Sequence, residues 1–509
     1  MKTIIVRLLA VLFALAPLSV AAQQQKPWEK IPIPKLNDFK PQLPKRIVLK
    51  NGIVLFLQED HELPFVSGYV LIPGGSRDEE PAKAGLADLY GQSWRNSGTA
   101  QLDGDAMDDL LEAKAAKINT EGGDDSTSLS WESLKGDSDQ VFDLAMELLL
   151  HPKFRLEKLK LAQQQDATGI ARRNDSAADI AQREAAKLVY GADSPYTRQP
   201  ELATIGTVTL EDLQAWHDRT IAGKLIVGIS GDFDPAAMEA KLRTALETLP
   251  PVKAAPARHD DFPGPKAGLY FIDKPDVNQS NVEIVGLGTD RHNPNLATLV
   301  VMNQIFGGGF GSRLFNKVRT ELGLAYAVGG SYGLTWDHPG IFRIVVGTKS
   351  ASTVDAAKTT LEEVKQLRTA PFTPEELNRA KDQILNSFLF RYDTKAKVLN
   401  AQVQLEFYGY PANYLETYKA GVEKVTIADL DRVAKQYIDP AKLAVLVVGN
   451  EKEIQPGLDK IGLGAPKAID ITIPMPPQHG PGSSGAGISG TGPSFSGGQV
   501  APSAEERRR

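Results

Sequence analysis

A chain of 509 residues is longer than one hydrophobic core supports, and 42% hydrophobic with 24% charged residues places it among soluble globular proteins of about two to four domains. The formal charge of -6 is weak over this length, and no Lys/Arg stripe with interleaved aromatics is present, which disfavours nucleic acid and anionic membranes as partners. With no cysteine, disulfides, a lipid-anchored thioether, Cys-ligated metals and thiol nucleophiles are excluded.

Lys2 and Arg7 precede an apolar run from Leu8 to Val20, and Val20-Ala21-Ala22 before Gln23 has the small-residue pattern of a cleavage site. Residues 1–22 are therefore expected to be a secretory signal peptide, since the run is short for a membrane span of about 20 residues. The expected compartment is the periplasm of a Gram-negative bacterium, with no stable membrane insertion after cleavage. Residues 23–45 carry five prolines and little periodicity, as an extended arm would. From Arg46, IVLKNGIVLFLQED predicts a hairpin turning at Asn51-Gly52, because an Asn-Gly pair readily takes positive φ angles. FVSGYVLIP follows as a third strand.

The chain then repeats itself. Phe154 in HPKFRLEKLKLAQQQD matches Phe372 in APFTPEELNRAKDQIL, and each opens a long helix. VTLEDLQAWHDRTI from Val208 matches VTIADLDRVAKQYI from Val425, with Thr209 and Thr426 as N-caps three residues before Asp212 and Asp429. GKLIVGISGDF around Lys224 matches AKLAVLVVGNE around Lys442, each a buried strand ending in Gly231 or Gly449. Phe154 to Phe372, Lys224 to Lys442 and Gly231 to Gly449 all share an offset of 218 residues. The expected fold is α+β: two homologous domains, each a mostly antiparallel sheet packed against helices. They span residues 46–249 and 269–470, joined by a Pro-rich linker at 250–268. Residues 471–509 are rich in Gly, Pro and Ser and are expected to be a disordered tail ending in Arg507, Arg508 and Arg509.

The second half contains GGGFGSRLFNKVRTELGLAYAVGGSY, from Gly307 to Tyr332. Gly307, Gly308, Gly309 and Gly311 predict a close-packed turn before a short helix, a structural loop rather than a substrate contact. They lack the Lys-Ser/Thr that a nucleotide-binding loop needs. Arg319 stands at the helix end and Tyr326 at the start of a strand. From the residues themselves, Arg319 also suits the C-terminal end of a helix dipole, and Tyr326 a half-buried strand aromatic. The seven histidines, His61, His151, His217, His259, His292, His338 and His479, are at least 33 residues apart, so no pair has helical ligand spacing. His151 and His217 read as surface or helix-end residues.

The duplicated halves, the hairpin-strand-GGSRDE opening and the GGGFGSRLF...RTELGLAY stretch together resemble the pitrilysin/insulinase family of zinc metallopeptidases, in particular its bacterial two-domain branch. The resemblance covers nearly all of Arg46 to Ile469. It implies that catalytic relatives carry H-x-x-E-H on the first-half helix, with a further Glu about 75 residues on completing the zinc ligands. Here the matching positions are Asp88, Gly91 and Gln92, and the third-ligand position falls at or near Thr168. Both histidines and the general base are replaced, so this chain is expected to bind no metal.

The resemblance also implies that Arg319 and Tyr326 match the family pair that hydrogen-bonds the substrate carbonyl across the opposing half. The expected function is a non-zinc-binding subunit of a heterodimeric periplasmic peptidase. Its partner would be a homologous H-x-x-E-H subunit that holds the zinc, and peptides would be the substrate. The alternative is a non-enzymatic scaffold or peptide-binding protein of the same fold.

Overall fold

The computed structural model describes residues 39–253 and 260–475. The signal peptide, most of the Pro-rich arm, His259, and the tail beyond residue 475 with His479 and its three arginines lie outside the described residues. The chain divides at Leu43, and the description below concerns the unit from Leu43 onward.

In chain order the first half runs β1 (Lys45–Val48), β2 (Val54–Glu59), β3 (Phe65–Pro73), α1 (Leu86–Ser97), α2 (Gly104–Ala113), β4 (Lys117–Gly122), β5 (Ser126–Leu134) and α3 (Ser138–Leu150). It continues through α4 (Leu156–Arg172), α5 (Ala177–Tyr190), α6 (Leu210–Ile221), β6 (Ile226–Gly231) and α7 (Pro235–Leu246). The second half runs β7 (Gly268–Asp273), β8 (Gln279–Leu287), β9 (Thr289–Asp290), α8 (Leu296–Phe306), a π-helical turn at Phe315–Glu321, β10 (Ala327–Tyr332), β11 (Leu334–Thr335) and β12 (Ile341–Lys349). Then come α9 (Thr353–Thr369), α10 (Pro374–Arg391), α11 (Lys395–Tyr408), α12 (Tyr414–Lys424), α13 (Ile427–Tyr437), β13 (Ala444–Gly449) and β14 (Lys467–Ala468).

Each half builds one six-stranded sheet, in the order β1-β2-β6-β3-β5-β4 and β10-β12-β8-β13-β7-β14. Most pairs are antiparallel; β2 with β6, β13 with β7 and β7 with β14 are parallel. The mixed α/β architecture of two sheets with packed helices is the fold class expected from the repeat. Gly52 takes φ +95° in the turn between β1 and β2, which its missing Cβ makes inexpensive. Thr209 and Thr426 cap α6 and α13, each accepting from the amide three residues on, at 3.2 Å.

In each sheet, period-2 alternation buries one face under the helices of the same half. On β3, Val66, Val70 and Ile72 point to that core. The opposite faces are covered by exchange. Ile180, Ala181, Ala185 and Val189 of α5 pack on Tyr270, Ile272, Val285 and Leu446 of the second sheet. Reciprocally, Leu399 and Val403 of α11 pack on Val54, Phe56 and Ile226 of the first. Each half therefore completes the other's core, and polar contacts join them as well. Arg77 of the GGSRDE segment pairs with Asp337 at 2.6 Å, and Glu406 on α11 accepts from Arg46 at 2.9 Å and Lys224 at 2.7 Å.

Candidate functional site

The first-half site is built on the start of α1. The buried carboxylate of Glu79 accepts from the amides of Ala87 at 2.6 Å and Gly85 at 3.0 Å, satisfying helix-start donors that burial would leave orphaned. Burial pushes the Glu79 carboxyl up, and those two hydrogen bonds draw it back down. On the helix so fixed, Asp88 is exposed, Gly91 is buried and Gln92 is half-buried.

The position of the missing general base is closed. A Cβ on Gly91 would lie 2.2 Å from the amide nitrogen of Gly122 on β4, and one on Gly122 would lie 2.0 Å from the carbonyl oxygen of Ala87. Helix and strand touch backbone to backbone, and the Thr120 hydroxyl secures them by donating to the Gly91 carbonyl at 2.7 Å.

Facing Gln92 across the helix pair is Asp166 of α4, which accepts from the Gln92 carboxamide at 2.8 Å. Thr168 itself is exposed and donates to the Gln164 carbonyl of its own helix at 2.9 Å; two residues earlier, the helix phase turns Asp166 towards Gln92. Burial pushes the Asp166 carboxyl up, the Gln92 bond draws it down, and the nearby Asp88 charge pushes it up again. The converging groups are thus two carboxylates and a carboxamide whose nitrogen is already committed. Among the described residues no group of three or more His, Cys, Asp or Glu could hold a metal ion. The donor set does not fit zinc: it has no imidazole or thiolate, and its two carboxylates fall short of the three protein ligands a catalytic zinc takes.

His217 also departs from expectation. It is 2% exposed, its Nδ1 lies 2.8 Å from the Tyr90 hydroxyl, and its ring sits against Trp94 and Phe154. The inward face of α6 places it against α1. His151 caps the end of α3 in solvent, as expected.

The second-half site begins where α8 ends. Gly307 presses onto β10: a Cβ there would lie 2.4 Å from the Gly330 nitrogen, and the Gly330 amide donates to the Gly307 carbonyl at 3.2 Å. Gly309 takes φ +140°, a conformation other residues rarely reach. Gly308 is crowded by Gln304, whereas a Cβ on Gly311 would meet its neighbours at ordinary distances.

The following segment is a π-helical turn rather than an α-helix. Leu314 and Val318 anchor it in the core, and Arg313 binds Glu376 with two hydrogen bonds of 2.7 and 2.8 Å. The wide turn leaves Arg319 exposed, its guanidinium 4.9 Å from the centroid of the Phe315 ring. Phe310, 81% exposed on the glycine-rich loop, meets Phe315 edge-on at 5.0 Å.

Tyr326 is 51% exposed and enters β10 with its amide donating to the Gly347 carbonyl at 3.1 Å. Its ring lies across Gly347, where a Cβ would fall 2.6 Å from the phenol oxygen. It borders a cleft of about 620 Å³ lined also by Asn278, Asn281 and Glu453. Among the described residues neither the Arg319 guanidinium nor the Tyr326 hydroxyl has a polar partner, and no hydrogen bond or ion pair joins either group to Asp88, Gln92 or Asp166. Sequence reasoning missed Asp166, Phe315 and Gly347. Only Phe315, four residues before Arg319, carried a signal that could have found it.

A family model described as "Insulinase (Peptidase family M16)" matches residues 54–186, and one described as "Peptidase M16 inactive domain" matches residues 207–384. The "Non-peptidase homolog YmxG" of Helicobacter pylori is 26% identical over 417 residues, covering 79% of this chain and 93% of that protein. The "Uncharacterized zinc protease YmxG" of Bacillus subtilis is 22% identical over 352 residues, covering 69% and 85%. A crystal structure titled peptidase M16 inactive domain, from Pseudomonas fluorescens, superposes with a TM-score of 0.72 at 25% identity, covering 80% of this chain and 98% of that one. A protease structure from Helicobacter pylori shares the fold, with a TM-score of 0.68 at 18% identity over 80% and 100%.

Proposed function

The chain belongs to the peptidase M16 (insulinase) family, and from that premise we propose that it is the non-zinc-binding subunit of a periplasmic, two-chain metallopeptidase. A homologous H-x-x-E-H partner would hold zinc, which supplies the activated water. This chain supplies two directed donors. The Arg319 guanidinium and the Tyr326 hydroxyl hydrogen-bond the substrate carbonyl, whose oxygen gains negative charge as the peptide bond is attacked.

One contrast carries this proposal. The first-half site is sealed at Gly91 by Gly122, while Arg319 and Tyr326 stand exposed with their polar ends uncommitted. The apolar run before Gln23, outside the described residues, supports secretion, and no helix among the described residues is long and apolar enough to cross a membrane. A scaffold or peptide-binding role is the second possibility, in keeping with the name of the Helicobacter relative.

Co-expression with an H-x-x-E-H homologue tests the proposal. The isolated chain should hold no stoichiometric zinc and leave unfolded peptides intact, and the co-purified pair should cleave them. A zinc atom per isolated chain with chelator-sensitive cleavage would overturn it. Stable co-purification with a zinc-loaded partner that never gains activity would favour the scaffold.

A further inference from the structure

The outer face of the first sheet, away from α1, is only partly covered. The apolar contacts of α11 fall on Val54, Phe56 and Ile226 of β2 and β6 and extend to Tyr69 and Leu71 of β3, so it is over β5 and β4 that the helix stands off the sheet. A cleft of about 1000 Å³ remains between them, with its floor from the first half and its wall from α11 of the second.

The floor is made by register. Tyr69 pairs with Ser130, and Leu71 with Ser128, while Asn119 pairs with Ser130 from the other side. β5 reads STSLSWESL: its buried alternate residues enter the core, and Ser126, Ser128 and Ser130 line the cleft. On the facing wall Asn400 and Gln404 stand one helical turn apart, both exposed. Among the described residues the side chains of Ser128, Ser130, Asn119, Asn400 and Gln404 have no hydrogen-bond partner within the protein.

The charged groups here are of both signs. Asp125 is bound by the Tyr408 hydroxyl and Lys397 pairs with Asp393 at 2.7 Å, while Lys117, Arg391 and Glu132 also line the cleft. The carboxylates of Asp125 and Glu132 in the same lining disfavour a phosphate or polyanion. What the cleft offers is neutral donors and acceptors in two rows. Those on β5 recur every second residue, about 6.8 Å, the repeat of an extended peptide main chain. Asn400 and Gln404 are about 6 Å apart along their helix, close to the same repeat.

We propose that this cleft is a second peptide site, in which an extended segment lies along β5 and its main-chain groups are held by Ser128, Ser130, Asn119, Asn400 and Gln404. The choice of ligand class rests on the peptide-handling function proposed above; the site itself uses neither Arg319 nor Tyr326. It lies on the opposite face of the sheet from α1, so a substrate held here is retained away from the relic zinc position. Main-chain recognition makes the site tolerant of sequence.

The test uses the whole isolated chain and a fluorescein-labelled, end-blocked, unstructured peptide of roughly ten residues rich in Ser, Thr and Val, followed by anisotropy. Saturable binding is expected. Asn400→Leu with Gln404→Leu, at exposed helix positions that leave folding intact by circular dichroism, should weaken it about tenfold, the loss of about two hydrogen bonds. The same peptide N-methylated on alternate amides should bind equally poorly. Unaltered affinity in the double variant, or equal binding of the N-methylated peptide, would overturn the site. So would displacement by a neutral oligosaccharide at the peptide's own concentration. Absence of peptide binding alongside partner-dependent cleavage would overturn this site and leave the proposed function standing; binding without partner-dependent cleavage would do the reverse.

Discussion

The carboxamide of Gln92 on α1 donates a 2.8 Å hydrogen bond to the carboxylate of Asp166 on α4, so the two helices that would share a metal ion share a proton donor and acceptor instead. Restoring the lost side chains does not restore the site, because the backbone has closed on Gly91. Gly91→Glu would force its Cβ to within 2.2 Å of the Gly122 nitrogen. It should destabilise the protein by about 1–3 kcal/mol, as overpacking does, measured by urea denaturation. The triple variant Asp88→His, Gly91→Glu, Gln92→His should still show no peptide cleavage. A triple variant as stable as the parent would mean that α1 can lift off β4.

Acid should weaken the first half through His217. Burial holds its imidazole down at about 4, against an ordinary value of 6.5. Between these values the unfolded chain binds a proton that the folded chain refuses, so stability falls as pH drops from about 6.5 towards about 4, by an amount on the order of 3 kcal/mol. His217→Gln, which keeps a polar group near Tyr90 but cannot titrate, should flatten that slope in urea melts taken across the range. An unchanged slope would place the acid sensitivity elsewhere.

The fold was legible because its signals are local or repeated. Alternation in FVSGYVLIP predicts β3 at its observed bounds, and the capping boxes at Thr209 and Thr426 lie within single turns. The offset of 218 residues survives as β6 against β13 and as α5 against α11. The exchange of α5 and α11 between halves was not legible, since an amphipathic helix states that it needs a cover and not which sheet provides it. Asp166 was missed for a related reason: a shift of two residues turns a helix by more than half a circle, and only its contact with Gln92 fixes the phase. His217 looked like a helix-end residue because the Tyr90 partner is 127 positions away in sequence. Gly347 lacked any motif; its role depends wholly on the ring of Tyr326 resting on it.

Arg319→Ala and Tyr326→Phe should each lower turnover in the assembled pair by about a hundredfold, the usual loss of one donor to a developing oxyanion at about 3 kcal/mol. Both side chains are exposed, so neither change should alter the melting temperature or co-purification with the partner. Steady-state kinetics at matched complex concentration read the difference. Unchanged turnover in both variants would return Arg319 to a helix-end role and Tyr326 to an ordinary strand aromatic.

Phe315 should act as a positioning residue for Arg319. The ring lies 4.9 Å beneath the guanidinium on the π-helical turn and is itself braced edge-on by Phe310 at 5.0 Å. A cation over an aromatic face at a partly exposed site is worth about 0.5–1 kcal/mol, and the platform also limits where the long side chain can point. Phe315→Leu keeps an apolar side chain at this half-buried position but removes the π face. Turnover of the assembled pair should then fall by about two- to fivefold with little change in KM, since the contact it orients strengthens only as charge develops. Phe315→Tyr should restore the rate. Leu and Tyr variants of equal activity would show that the ring merely packs. A fall in both that tracked the melting temperature would assign Phe315 to the stability of the turn rather than to the aim of Arg319.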